Sequence, residues 1–226
     1  MKRYAVIVAG GKGVRMGAGR PKQFLEIAGK PILRHTVERF LDFDRAMEIV
    51  LVLPKEQKEY WREYCRDNVF LERYSMAGGG ITRFHSVQNA LSYVGDDSIV
   101  AVHDGVRPFV STGLLDRVFK AAEQYPAVIP AVPLADSARR VEGEDSSPVS
   151  RDGLFLVQTP QVFQAGILKE AYRQAFRPSF TDDASVVEAA GHKIHLVPGE
   201  RLNLKITTPD DLEVAEKLVS LFSSGK

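Results

Sequence analysis

Apolar runs at 4–8, 48–53, 98–103, 127–132 and 193–197 recur along the chain, and segments of helical period separate them at 32–41, 55–66, 82–93, 111–124, 165–175, 184–190 and 209–221. Strands that are apolar on both sides must be covered on both faces. Strand–helix alternation of this kind therefore predicts an α/β fold, a mostly parallel twisted sheet with helices on both faces. The last helix carries its own start signal: Thr208 as N-cap, Pro209 at the first helical position and Asp211 at the third. Thr181-Asp182-Asp183 offers a second such start. One segment breaks the alternation. Near Ala135 the chain turns polar, with Arg139, Arg140, Glu142, Gly143, Glu144, Asp145, Ser146 and Ser147 ahead of Pro148. This predicts two short strands around an exposed turn, a protruding β-arm at about 136–156 on a single domain spanning 1–226. A chain of 226 residues is long enough to bury a sizeable core in one unit.

Charge and cysteine usage exclude several classes. The formal net charge is +1, which leaves no broad electrostatic footprint for nucleic acid or for an anionic membrane. The single cysteine, Cys65, permits no internal disulfide and suits a reducing compartment. Lys2 and Arg3 precede an apolar stretch, but it breaks at Gly10, too soon for a signal peptide. No run approaches the ~18 apolar residues of a membrane span. The expectation is a cytoplasmic protein with no nucleic-acid or membrane partner.

Cationic work must then be local, and the first strand leads straight to it. Val8-Ala9-Gly10-Gly11-Lys12-Gly13-Val14-Arg15-Met16-Gly17 is followed by Arg20-Pro21-Lys22-Gln23-Phe24-Leu25. Glycines let backbone N–H groups approach anionic oxygens, and the guanidinium and ammonium groups supply paired charge, a combination suited to a nucleoside triphosphate. The loop is not a P-loop, because no Lys-Ser or Lys-Thr closes it. It is not a full dinucleotide fingerprint either: Met16 stands where the third glycine belongs, and the second strand runs into Pro54-Lys55 rather than an acidic residue.

In open parallel sheets ligands bind beyond the carboxyl ends of the strands. After the third run comes His103-Asp104-Gly105-Val106-Arg107-Pro108-Phe109, before the helix at 82 lies Gly78-Gly79-Gly80-Ile81-Thr82-Arg83, and after Val132 comes Asp136-Ser137-Ala138-Arg139-Arg140. Each also has a plainer reading: Asp104 and Arg107 suit a local ion pair, the triple glycine a flexible turn, Arg140 a solvated face and His103 a packed, hydrogen-bonded histidine. The remaining histidines, His35, His85, His192 and His195, show no metal-ligand spacing, so no protein-held metal is expected.

These residues carry a resemblance. The ordered pattern AGGxGxRMG, PKQFL, GGxxR…S, HDxxRPF, DS, SRxGL, QTPQxF, TDDAS and NLKIT, running from near residue 4 to near 220, is similar to the 2-C-methyl-D-erythritol 4-phosphate cytidylyltransferase family of the non-mevalonate isoprenoid pathway. The resemblance implies a Rossmann-like nucleotidyltransferase fold, CTP and a sugar-alcohol phosphate as substrates, and Mg²⁺ held mainly by the triphosphate. It also implies a homodimer in which the β-arm reaches over the neighbouring subunit's site. Carried over by motif, Ala9, Gly10, Gly11, Gly13, Gly79, Gly80, Thr82, Ser86 and Gly105 match the CTP site. Arg15 and Lys22 match the groups that stabilise the transition state, and Arg151 and Lys205 those that position the sugar phosphate. Asp104, Arg107, Ser137, Thr159 and Thr181 match its other contacts, some of them supplied across the dimer. The chain departs from the pattern at Gly10-Gly11, where some members have Ala-Ala, and at Ser137, where threonine is common. A sister group using ribitol 5-phosphate shares AGGxGxRMG, PKQFL and HDxxRPF, while Thr181–Ser185 and Ser150–Leu154 look closer to the methylerythritol enzyme.

The implied chemistry matches what the chain lacks. A phosphate monoester, with a second pKa of about 6, is already largely dianionic and needs no general base. No histidine–carboxylate dyad, Ser/His/Asp set or activated cysteine is present to serve as one. Joining two polyanions instead needs cations, which Arg15, Lys22, Arg151 and Lys205 supply; losing one is expected to cost about 10³-fold or more. Lys12 and Arg20 read as solvated groups at the loop rim. The alternatives are a ribitol 5-phosphate cytidylyltransferase, an NAD-binding oxidoreductase with a degenerate loop, and a catalytically silent nucleotide-sensing module.

Overall fold

The computed structural model describes residues 1–10, 21–70 and 72–223, with side chains to 219. In chain order the elements are β1 (Lys2–Val8), a small hairpin of β2 (Glu26–Ile27) and β3 (Lys30–Pro31), α1 (Ile32–Phe43), β4 (Glu48–Leu53), α2 (Lys58–Asp67), β5 (Tyr74–Gly78), α3 (Arg83–Ala90) and β6 (Ser98–Asp104). They continue as α4 (Thr112–Ala122), β7 (Ala127–Pro133), β8 (Ala138–Glu142), β9 (Asp145–Val149), β10 (Phe155–Val157), β11 (Gln161–Gln164), α5 (Ala165–Ala171), α6 (Asp183–Ala189), β12 (His195–Pro198) and α7 (Pro209–Ser223).

Among the described residues eight strands make one sheet in the order β10-β7-β11-β6-β1-β4-β5, with β12 pairing alongside β7. β6, β1, β4 and β5 run parallel, as do β12 and β7, while β10 and β11 run antiparallel to their neighbours. The expected mostly parallel α/β sheet is thus present. Its two faces bury separate apolar clusters. Side chains of α1, α2 and α4 pack on one face around Phe40, Trp61 and Phe119, and those of α3, α5 and α6 pack on the other around Phe84, Phe163 and Tyr172. All seven residues of β6 are buried, as its near-continuous apolar run requires. The third cluster seats α7 through Ala215 and Val219 against Ile27, Ile32 and Phe109.

Several boundaries differ from those the sequence suggests. β5 has no counterpart among the apolar runs: Tyr-Ser-Met-Ala-Gly lacks a β-branched stretch, and as an end strand it pairs with β4 alone. β11 is only four residues long and is inserted between β6 and β7, a long-range pairing that no local period encodes. The last apolar run pairs only from His195, and the helix expected over 165–175 closes at Ala171. The arm is shorter than expected. β8 and β9 pair only with each other, whereas residues 155–157 leave the arm and pair with β7 in the main sheet.

Helix starts follow the local chemistry. Thr208 Oγ1 accepts from the Asp211 backbone N–H, and Asp182 caps α6 through a reciprocal capping box with Ser185. The segment carrying Lys22 is anchored from behind. Buried Phe24 packs against Tyr60 and Trp61 with ring centroids 4.7 and 6.2 Å away, burial that stabilises by about 1.5–3 kcal/mol. Beside it, Gln23 Nε2 donates to the Ala9 carbonyl at 2.7 Å and to Gln57 Oε1 at 2.6 Å. The two ends of the glycine loop are therefore tied together at the tip of β1.

Candidate active site

The order of the parallel strands dictates where a ligand fits. From β1 the chain steps to β4 and β5 on one side, then returns to place β6 on the other. A crevice opens beyond the carboxyl ends of β1 and β6, where those directions diverge. Backbone hydrogen bonds bring the strand ends level: Ala9 N–H donates to Val52, Gly79 N–H to Leu53 and Gly105 N–H to Val8.

Two cavities lie along this crevice. The first, about 240 Å³, is lined by Ala9, Gly10, Lys22, Gly80, Thr82 and Ser86. The second, about 320 Å³, is lined by Arg107, Val157, Gln158, Thr159, Thr181 and Asp182. Arg83, Asp104 and Lys205 line both and form the wall between them. A further cavity, about 460 Å³ between α1, Phe70 and Val219, holds none of the expected site residues, and its Lys and Arg side chains are already paired: Lys30 and Arg34 with Glu38, Arg39 with Asp42, Arg45 with Glu72.

The first cavity is shaped by a tight turn into α3. Gly80 N–H donates to Ser86 Oγ at 2.9 Å, Ser86 Oγ donates to the Thr82 carbonyl at 2.9 Å, and Thr82 caps the helix. A side chain at Gly80 would meet His85 Cβ at 2.4 Å and the Ser86 nitrogen at 2.9 Å, so the turn admits only glycine. Gly79 backs onto Pro54, and Gly105 lies beneath the crevice with Ala9 Cβ 3.0 Å from where its own Cβ would stand.

Asp104 is the electrostatic centre. Its carboxylate is nearly buried, with Lys205 Nζ 2.9 Å and Arg107 Nε 3.5 Å from Oδ2 and Arg83 Nε 3.7 Å from Oδ1. Burial alone would raise its pKa, but Arg83, Lys205 and Arg107 outweigh it and hold the carboxyl well below the usual carboxylate range. Thr159 Oγ1 accepts from the Asp104 backbone N–H. Lys205 rides on an irregular segment that side-chain amides strap down: Gln158 bonds both backbone groups of Glu200, Asn203 Nδ2 donates to the Thr159 carbonyl, and Arg107 donates to the Asn203 carbonyl.

Of the residues expected at a site, Ala9, Gly10, Lys22, Gly80, Thr82, Ser86, Asp104, Arg107, Thr159, Thr181 and Lys205 come together on these two cavities. Ser137 and Arg151 do not; both are exposed at the root of the arm, where Arg151 donates to the Ala135 carbonyl. Gly11, Gly13 and Arg15, with Lys12 and Arg20, lie outside the described residues. Arg83 closes the triple-glycine motif, yet its pattern alone assigns it no role; a cation opening a helix at a strand-end turn, facing Asp104, is the signal that points to it. No group of three or more His, Cys, Asp or Glu side chains that could hold a metal occurs among the described residues.

A family model described as IspD, 2-C-methyl-D-erythritol 4-phosphate cytidylyltransferase, matches residues 4–220. The chain belongs to this family. It is 53% identical over 219 residues to the 2-C-methyl-D-erythritol 4-phosphate cytidylyltransferase of Bacteroides fragilis and 51% identical over 219 residues to that of Bacteroides thetaiotaomicron, alignments covering 97% of this chain and 100% of each relative. The crystal structure of 2-C-methyl-D-erythritol 4-phosphate cytidylyltransferase from Thermus thermophilus superposes with a TM-score of 0.77 at 35% identity, over 95% of this chain and 98% of that one. The chain is accordingly a nucleotidyltransferase, and its family reaction is the CTP-dependent formation of CDP-methylerythritol in isoprenoid synthesis. The ribitol and oxidoreductase readings fall away. Among the described residues no helix is long and apolar enough to cross a membrane.

His103 opens the strand-end motif that runs to Phe109, and it is a core residue. It is fully buried, its Nε2 donates to the Arg107 carbonyl at 3.1 Å, and its ring meets Phe40 edge-on. Burial pushes its pKa down from 6.5 to about 4. Below the unfolded value the denatured chain binds the extra proton, so the stabilisation is complete above that value and is lost as pH falls toward the folded one. Between about pH 7 and about pH 5.5 this one group should remove about 1 kcal/mol of unfolding free energy. Urea unfolding at both pH values should show that loss shrinking by the same amount in His103→Asn; an unchanged slope would contradict the assignment.

Proposed function

We propose that the first cavity takes CTP, the second takes methylerythritol phosphate, and cytidylyl transfer occurs across their shared wall. That wall is the observation that carries the reading, because Lys205 and Arg83 line both cavities while Asp104 anchors them. The acceptor phosphate forms a bond from its oxygen to the α-phosphorus of CTP, the bond from that phosphorus to the bridging oxygen breaks, and pyrophosphate leaves with the electron pair. No proton is abstracted, which accords with His103 being sealed in the core. Lys22, with Arg15 outside the described residues, counters charge growing on the α-phosphoryl oxygens. On the acceptor side, Arg107 and Lys205 reduce the repulsion between two polyanions, and Thr159 and Thr181 contact the alcohol.

Magnesium fits as a companion of the nucleotide rather than of the protein. Asp104 is the carboxylate that lines both cavities and already faces three cations, so the triphosphate oxygens would supply most of the ligands. When bound, the ion would neutralise triphosphate charge.

Protein given CTP, Mg²⁺ and methylerythritol phosphate should release pyrophosphate, and Lys22→Ala should lower kcat by about 10³-fold or more at unchanged melting temperature. Near-normal turnover by that variant would remove Lys22 from the mechanism, and absence of release by the wild type at millimolar substrate would overturn the reading.

The arm supports a homodimer. Leu154, Phe155, Leu156 and Val157 form an exposed apolar run beside it, and Val141 on β8 is 70% exposed. Ser137 and Arg151 stand apart from this chain's own cavities, and in a homodimer they would complete a partner's. Light scattering should give about twice the 25.1 kDa chain mass. Leu156→Asp should reduce it to one chain, and a monomeric wild type at micromolar concentration would refute the dimer.

A further inference from the structure

A second buried carboxylate lies behind the junction. Asp183 has no solvent exposure, yet its two oxygens have strong partners: Tyr172 Oη donates to Oδ1 at 2.6 Å and Arg83 donates to Oδ2 at 2.6 Å. A carboxylate at such depth needs a charge partner, and Arg83 supplies it. The same guanidinium presents Nε to Asp104 Oδ1 at 3.7 Å, leaving Oδ2 to Lys205 and Arg107. A relay of alternating charge therefore runs Asp183–Arg83–Asp104–Lys205, with the neutral Tyr172 hydroxyl hydrogen-bonded at its inner end. A planar guanidinium turns separate N–H edges to the two carboxylates, a geometry that the compact ammonium of a lysine does not reproduce.

The relay links the walls of the two cavities through helices that also pack together in the apolar cluster around Phe84 and Tyr172. Arg83 is the first residue of α3, next to the Gly80–Thr82 turn of the nucleotide cavity. Asp183 is the first residue of α6, two positions from Thr181 in the acceptor cavity. Desolvation disfavours the Arg83 charge, and Asp183 and Asp104 together more than restore it, so the guanidinium stays ionised.

We infer that Arg83 is a positioning residue for cytidylyl transfer: clamped by Asp183, it fixes the Asp104 carboxylate in the orientation that holds Lys205 at the junction of the two subsites. This rests on the two-cavity reading above. It assigns Arg83 an effect on kcat that passes through Lys205, which a residue that only braces the fold would not have.

The test is a double-mutant cycle on kcat at saturating CTP and methylerythritol phosphate, with each rate normalised to folded protein by thermal melting. Arg83→Gln should lower kcat about 10- to 100-fold in the wild-type background, and less than about threefold in a Lys205→Ala background. Full multiplicativity of the two losses, or wild-type kcat per folded molecule in Arg83→Gln, would overturn the relay. Should Arg83→Gln fail to fold, Asp183→Asn unties Arg83 without removing it, and the same cycle on that variant supports or overturns the relay by the same criteria. A wild-type enzyme that releases pyrophosphate while Arg83→Gln matches it refutes this inference alone; a wild type that releases none refutes the two-cavity reading and the relay with it.

Discussion

One buried carboxylate organises this enzyme. Asp104 ends the most buried strand of the sheet and draws Arg83, Arg107 and Lys205 from three separate stretches of chain. Arg83 is shared with Asp183, so three cations against two buried carboxylates leave a local surplus of positive charge, which is what a site joining two polyanions needs. Each cation also depends on the anion. Breaking a buried pair by removing one partner costs on the order of 3–5 kcal/mol, so the cluster is held by the same charges that equip it for its substrates.

The fold supplies the place for that carboxylate. Parallel strands align their carboxyl ends, and the change of direction between β1 and β6 opens the crevice there. Around it, rigid short-range devices do the positioning: glycine at 80 because nothing larger fits, Phe24 and Gln23 behind Lys22, and the Gln158 and Asn203 amides over Lys205. Buried amides suit such work because each satisfies backbone groups that irregular chain would otherwise leave unpaired. Lys22 and Lys205, the cations proposed to act on the substrates, thus sit on short connecting segments whose geometry the core dictates.

Much of this is legible in the sequence. The near-continuous apolar runs mark β1, β4, β6 and β7, and the helix between them that carries Thr112 to Ala122 follows from its apolar period. The strand-end rule points to Ala9, Gly10, Gly80, Asp104 and Arg107 from the residues alone. What escapes is non-local. β11 reverses direction to insert between two parallel strands, and 155–157 joins β7 rather than the arm, because pairing partners distant in sequence leave no periodic trace. Arg83 and Asp183 escape for the same reason: 100 residues apart, they form one ion pair that only the tertiary structure brings together. Lys205 and Thr159 are reached through family resemblance, since neither lies in a segment whose local pattern suggests a site.

The claim that Asp104 organises the site is tested most directly by Asp104→Asn, which keeps the shape of the side chain and removes its charge. With kcat measured on folded protein at saturating CTP and methylerythritol phosphate, the account expects a loss of about 10²-fold or more. Turnover within about threefold of the wild type would contradict it, because Lys205, Arg83 and Arg107 would then hold their places without the anion that gathers them.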